Sequence, residues 1–152
     1  MSLSRITALI VVLHAGASAP AVGEPPGLPP VAVVVGIDSP IRDLSPDELR
    51  EVYMRRRRVW PDGRRVVPVN LPADDPLRSS FSARVLGRRP RELVGYWNRL
   101  YFEGIRPPLV LRTPAAICAY LASEPGGVGY MPSDQVDESS CRVVLTLNDT
   151  GP

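Results

Sequence analysis

The side chains able to do chemistry in this 152-residue sequence are few, and their kinds already narrow its function. Histidine occurs once, as His14, inside an apolar stretch near the start of the chain. The two cysteines, Cys118 and Cys141, cannot make a four-cysteine zinc site, and with no histidine beside them no Ser–His or Cys–His pair can generate a nucleophile. Gly126-Gly127-Val128-Gly129 is glycine-rich, but it precedes a predicted strand and lacks the lysine and hydroxyl of a phosphate-cradling loop. Asp47-Glu48 and Asp74-Asp75 are adjacent carboxylates, and both open predicted helices, where negative charge meets the favourable end of the helix dipole. The sequence therefore predicts no catalytic residue, no metal site and no cofactor. A carboxylate-only hydrolase is the one enzyme class left over.

What remains in quantity is guanidinium. All 18 basic residues are arginine, which codon bias accounts for, and four of them form the run Arg55–Arg58. That run reads as a solvated helix end, with an acidic partner surface as the sharper alternative. The formal charge is only +2, and it includes Arg5 from a segment expected to be removed. The near-neutral balance argues against nucleic acid as a partner.

The compartment is written in the first residues. A short positive start, Met1–Arg5, leads into the apolar run Ile6–Ala15 and then into small residues up to Ala21, which is the order of a secretory signal peptide. The run is too short to span a bilayer core, which needs about 20 residues. Residues 1–21 are predicted to be a signal peptide cut after Ala17 or Ala21, leaving no stable membrane anchor and a periplasmic or secreted protein without histidine. In an oxidising compartment Cys118 and Cys141 read either as a disulfide or as two buried thiols on separate elements.

Residues 22–30, with Glu24–Pro30 reading EPPGLPP, form a Pro-rich linker. One α/β domain is expected over 31–148. Val31–Val35 is a continuous apolar run, the mark of a strand buried on both faces. Ser45-Pro46-Asp47-Glu48 has the capping-box pattern that starts a helix, and Trp60-Pro61-Asp62-Gly63 is a turn signal before a strand at Val66–Asn70. Helices follow from Pro76 to about Leu86, from Pro90 and from Pro114, the second with Leu93, Val94, Tyr96, Trp97, Leu100 and Tyr101 as an apolar stripe expected to face the core. Strands at Leu109–Leu111, Val128–Met131 and Arg142–Leu147 complete an alternation that predicts a mainly parallel sheet.

Four of these stretches, in order, resemble the phosphate-binding components of ABC importers, in the type II periplasmic binding protein superfamily. They are Val33–Pro40, Leu44–Tyr53, Trp60–Val69 and Ser123–Met131, the last reading SEPGGVGYM. The resemblance implies a single three-layer α/β lobe, one domain of a protein that normally has two. It implies phosphate or sulfate as ligand, held at the helix start after Asp75, with Arg78 as the cation and Ser39, Ser79 and Ser80 as hydroxyl donors. The sequence departs from the family where a Ser-Gly-Thr-Arg turn is usual. It has Asp75-Pro76-Leu77-Arg78, of which only Arg78 matches. A single lobe also supplies half a cleft, so a ligand stays partly hydrated and binds weakly. Arg55 stands where the family has glycine; a positive φ there would cost about 1 kcal/mol. The rival expectation is a module that binds an envelope protein, through the arginine run or a sheet edge, with no small-molecule ligand.

Overall fold

The computed structural model describes residues 30–148. The predicted signal peptide and all but the last residue of the linker lie outside these residues. Five strands form one sheet in the order β3-β2-β4-β1-β5: β1 Val31–Gly36, β2 Val67–Asn70, β3 Leu109–Val110, β4 Gly127–Pro132 and β5 Cys141–Leu147. Four helices accompany them: α1 Pro46–Tyr53, α2 Pro76–Phe81, α3 Val94–Phe102 and α4 Pro114–Ser123. Each helix of the first pair is started as its sequence predicts. Ser45 caps α1 and Glu48 returns the capping box, while the Asp75 side chain caps α2 ahead of Pro76. A π-type turn at Ser82–Leu86 extends α2 and stops at Gly87, whose φ of 68° is left-handed. Among the described residues no helix is long and apolar enough to cross a membrane.

Side-chain alternation along β4 shows why the sheet is sandwiched between helices. Gly127 and Gly129 point to one face, where a Cβ would press into Leu121 and Ile117 of α4. Val128 and Tyr130 point to the other. There Tyr130 stacks on Phe81 of α2 at 3.7 Å, and Tyr53 of α1 meets both rings edge-on. The three-layer arrangement expected from the sequence is present. β1, between β4 and β5, is covered on both faces, and Val31–Val35 are all fully buried.

The sheet is mixed, not mainly parallel. β2 runs parallel to β3 and to β4, but β1 is antiparallel to both of its neighbours. A continuous apolar strand reports burial on two faces and carries no information about direction. The stripe on α3 is a second correction. Only Leu93, in the preceding turn, is buried; α3 itself buries no residue, and Val94, Tyr101 and Phe102 are exposed. α3 leans on the body through half-buried Tyr96 and Trp97, Tyr96 donating to the Met54 carbonyl at 2.6 Å.

Cys118 on α4 and Cys141 at the start of β5 form a disulfide with a Cα separation of 5.5 Å. The bridge clamps α4 to the edge of the sheet farthest from β3. Arg55 has a φ of 58°, a left-handed backbone on a side chain with a Cβ, which is the strain expected at that position.

Candidate functional site

β2 and β3 are parallel neighbours, and each is followed by a helix that begins beyond its carboxyl end, α2 and α4. Ligands of open α/β sheets bind in the crevice at such ends, where helix N-termini converge. Here a cavity of 140 Å³ is lined by Leu71, Asp75, Leu77, Arg112, Pro114, Pro132 and Gln135. Its walls come from the loops after β2, β3 and β4.

Asp75 sits half-buried at its rim and caps α2 with Oδ1, which accepts from the Leu77 N–H at 2.8 Å. The Ser79 N–H donates to the Asp75 carbonyl, and Pro76 has no N–H to give. The first turn of α2 can therefore offer an incoming anion at most the Arg78 amide. Arg78 is half-buried; its Nη1 donates to the Leu71 carbonyl at 2.6 Å, while its Nε is buried without a partner. It forms no ion pair with Asp75 within 4 Å among the described residues.

Behind this cavity lies a buried polar column. The Tyr130 hydroxyl donates to Asn70 Oδ1 at 3.1 Å, and the Tyr53 hydroxyl donates to the Val69 carbonyl at 2.8 Å. Burial pushes both phenols well above their ordinary range, and the nearby Arg78 charge only partly offsets it. Both stay neutral and act as donors that hold β2, β4 and α1 together.

The predicted site residues do not all converge. Arg78, Ser79 and Ser80 are half-buried in α2, and none of the three lines the cavity, which Asp75 alone of the predicted residues does. Ser39 is at the other end of the strands. Because β1 runs against β4, its carboxyl end lies beside the start of β4, and the Ser39 hydroxyl donates to the Pro125 carbonyl at 2.9 Å. Asp75 shares its cavity with Pro132 at the far end of β4, so a six-residue strand, roughly 20 Å, separates the two. Ser39 is a latch for its own loop, which Arg142 also grips through the carbonyls of Ser39 and Ile41. Arg112, in contrast, reaches the cavity without having been singled out. Its place immediately after a strand and before the capped start of α4 was the available signal.

This three-layer sheet, with its parallel βα pair and a crevice at its strand ends, is similar in fold to one part of phosphate-type ABC transporter substrate-binding proteins. Three solved structures show the likeness. The ABC-type phosphate transport receptor of Vibrio cholerae matches over 75% of this chain and 44% of its own, at 19% identity and a TM-score of 0.56. A substrate-binding protein assigned to a phosphate ABC transporter of Clostridium perfringens, solved with bound phosphate, matches 75% of this chain and 43% of its own, at 19% identity and 0.59. PstS of Borrelia burgdorferi matches 80% and 48%, at 12% identity and 0.56. The chain thus spans less than half the length of each of these structures. No family model matches it, and no curated protein matches it by sequence.

Proposed function

We propose that the chain is an exported, non-enzymatic binding domain that takes phosphate weakly, and sulfate more weakly still, at the start of α2. The observation that supports this most is Arg78, a half-buried guanidinium with an unpartnered Nε at the carboxyl ends of the parallel strands. The fold is shared with phosphate receptors, one of them solved with phosphate bound. Asp75 sets the character of the site. Its carboxylate already occupies the Leu77 amide that an anion would use, and it repels a fully ionised oxyanion. It can still accept a hydrogen bond from a protonated phosphate, which sulfate at neutral pH cannot provide.

Affinity in the millimolar range is expected, about 4 kcal/mol of binding free energy. Calorimetric titration should show phosphate heat that Arg78→Ala abolishes. Asp75→Ala should lower stability by about 1 kcal/mol through loss of the cap, yet strengthen phosphate binding by freeing the Leu77 amide. Micromolar binding to the unaltered chain would overturn the weak-site reading.

Export is the second component. The Cys118–Cys141 bridge suits an oxidising compartment. Protein recovered from outside the cytoplasm should begin at Ser18 or Val22 on N-terminal sequencing; an intact Met1 on a soluble cytoplasmic protein would refute it.

One observation favours a protein partner in place of a ligand. Phe102 is 89% exposed and Tyr101 66%, on a helix that buries nothing of its own. If phosphate and sulfate give neither heat nor thermal shift at saturation, this face is the surface an envelope protein would cover. Phe102→Ser should then abolish co-sedimentation with that partner.

A further inference from the structure

The arginine run does not behave as one solvated patch. Arg56 and Arg57 turn back onto α1 and pair with Glu51 and Glu48 at 3.1 and 3.0 Å. Arg55 and Arg58 turn the other way, into a cavity of 610 Å³ that they share with Arg65 and Arg106. No carboxylate lines it; its remaining wall is Val59, Gly104 and Ile105. None of the four arginines forms an ion pair within 4 Å among the described residues. The acids on adjoining cavities are Glu124 and Glu51, and Glu51 is already paired with Arg56.

Arg55 is the residue most committed to this arrangement. It is half-buried, and its Nη1 donates to the Val66 carbonyl at 3.1 Å. Its Nε is buried without a partner, and its backbone is held in the left-handed region. Burial, then the charges of Arg65 and Arg58, lowers its guanidinium from the ordinary value. Like charges gathered without counter-charge are unfavourable, and strained backbone persists only where the surroundings enforce it. The cavity lies at the amino ends of β2 and β3, the opposite end of these strands from Asp75 and Arg78.

We propose that this cavity is a separate anion site that takes a compound with several linked or clustered phosphoryl groups. Four guanidinium groups call for three or four negative charges in a small volume. A single phosphate carries at most two at neutral pH and leaves half the arginines uncompensated. Acidic side chains on a peptide are spread along the backbone and seldom reach that density. Guanidinium forks match phosphoryl oxygens in pairs, so each added phosphoryl group gains directed hydrogen bonds as well as charge. A soluble polyphosphate and a surface of anionic phospholipid headgroups share this chemistry.

The test uses the full chain. Tripolyphosphate should bind at least tenfold more tightly than orthophosphate, and Arg58→Ala with Arg106→Ala should weaken it roughly tenfold or more. Both residues are exposed, so the double variant keeps its fold, which circular dichroism verifies. Arg78→Ala should remove the weak orthophosphate heat while the tighter tripolyphosphate binding persists, which separates this site from the one at α2. Flotation with phosphatidylcholine vesicles, with and without phosphatidylglycerol, distinguishes the sources. Arginine-dependent binding to the anionic vesicles alone assigns the phosphoryl groups to lipid, and binding of tripolyphosphate alone assigns them to a soluble compound. Binding of neither, binding indifferent to Arg58 and Arg106, or tighter binding of a decaglutamate peptide overturns the proposal.

Discussion

Phe81→Ala is expected to lower the stability of the domain by about 3–5 kcal/mol, the largest effect of any single substitution considered. Phe81 is fully buried. It stacks on Tyr130 of β4 with an interplanar angle of 4° and meets Tyr53 of α1 at 4.8 Å, so one ring joins both helices of this face to the sheet. Its removal leaves a cavity between elements that cannot close up, because Tyr53 and Tyr130 are tied by their hydroxyls to Val69 and Asn70. For a domain with about 10 kcal/mol in hand, the melting temperature should fall by roughly 12–20 °C. Thermal unfolding followed by circular dichroism is the measurement. A loss below about 1 kcal/mol would show that α2 is not docked through this ring. Phe81→Ala should also weaken anion binding at Arg78, since Phe81 is what seats the helix carrying that arginine.

Opening the Cys118–Cys141 bridge is expected to cost about 3 kcal/mol, the loop-closure entropy for a sequence separation of 23. The closed loop contains all of β4, so in the unfolded chain the bridge holds the future sheet centre near α4. Denaturant unfolding with and without reductant should show a lower midpoint in the reduced protein. Replacing both cysteines with alanine should reproduce the shift and make it insensitive to reductant. Thiol titration of unfolded, unreduced protein should find no free thiol. Two free thiols would rule the bridge out.

Local patterns in the sequence carried most of the elements. Ser45 and Glu48 close a capping box because only neighbours three apart are needed. Trp60 and Gly63 make their turn by a hydrogen bond of 2.9 Å within four residues, and the same local logic placed Asp75 at the cap of α2. Arg55 was legible as a strained position from the residue type usual there, and its φ of 58° agrees. The Trp60 indole, however, donates to the Gly126 carbonyl 66 residues away, a contact that no local pattern announces.

By itself the sequence determined which segments are helix and strand, that both faces of β1 would be covered, and that 31–148 holds no histidine to pair with a serine or cysteine. Strand direction was left to the tertiary structure, because burial is blind to it. It made the sheet mixed, and so sent Ser39 and Asp75 to opposite ends of the strands although both follow strands. Tertiary structure also decided that the α3 stripe is only half-covered, that Arg112 joins Asp75, and that four arginines from three segments surround one cavity. Each of these depends on which ends of which strands become neighbours. That is a property of the folded chain as a whole, whereas caps, turns and apolar periodicity are settled within a few residues.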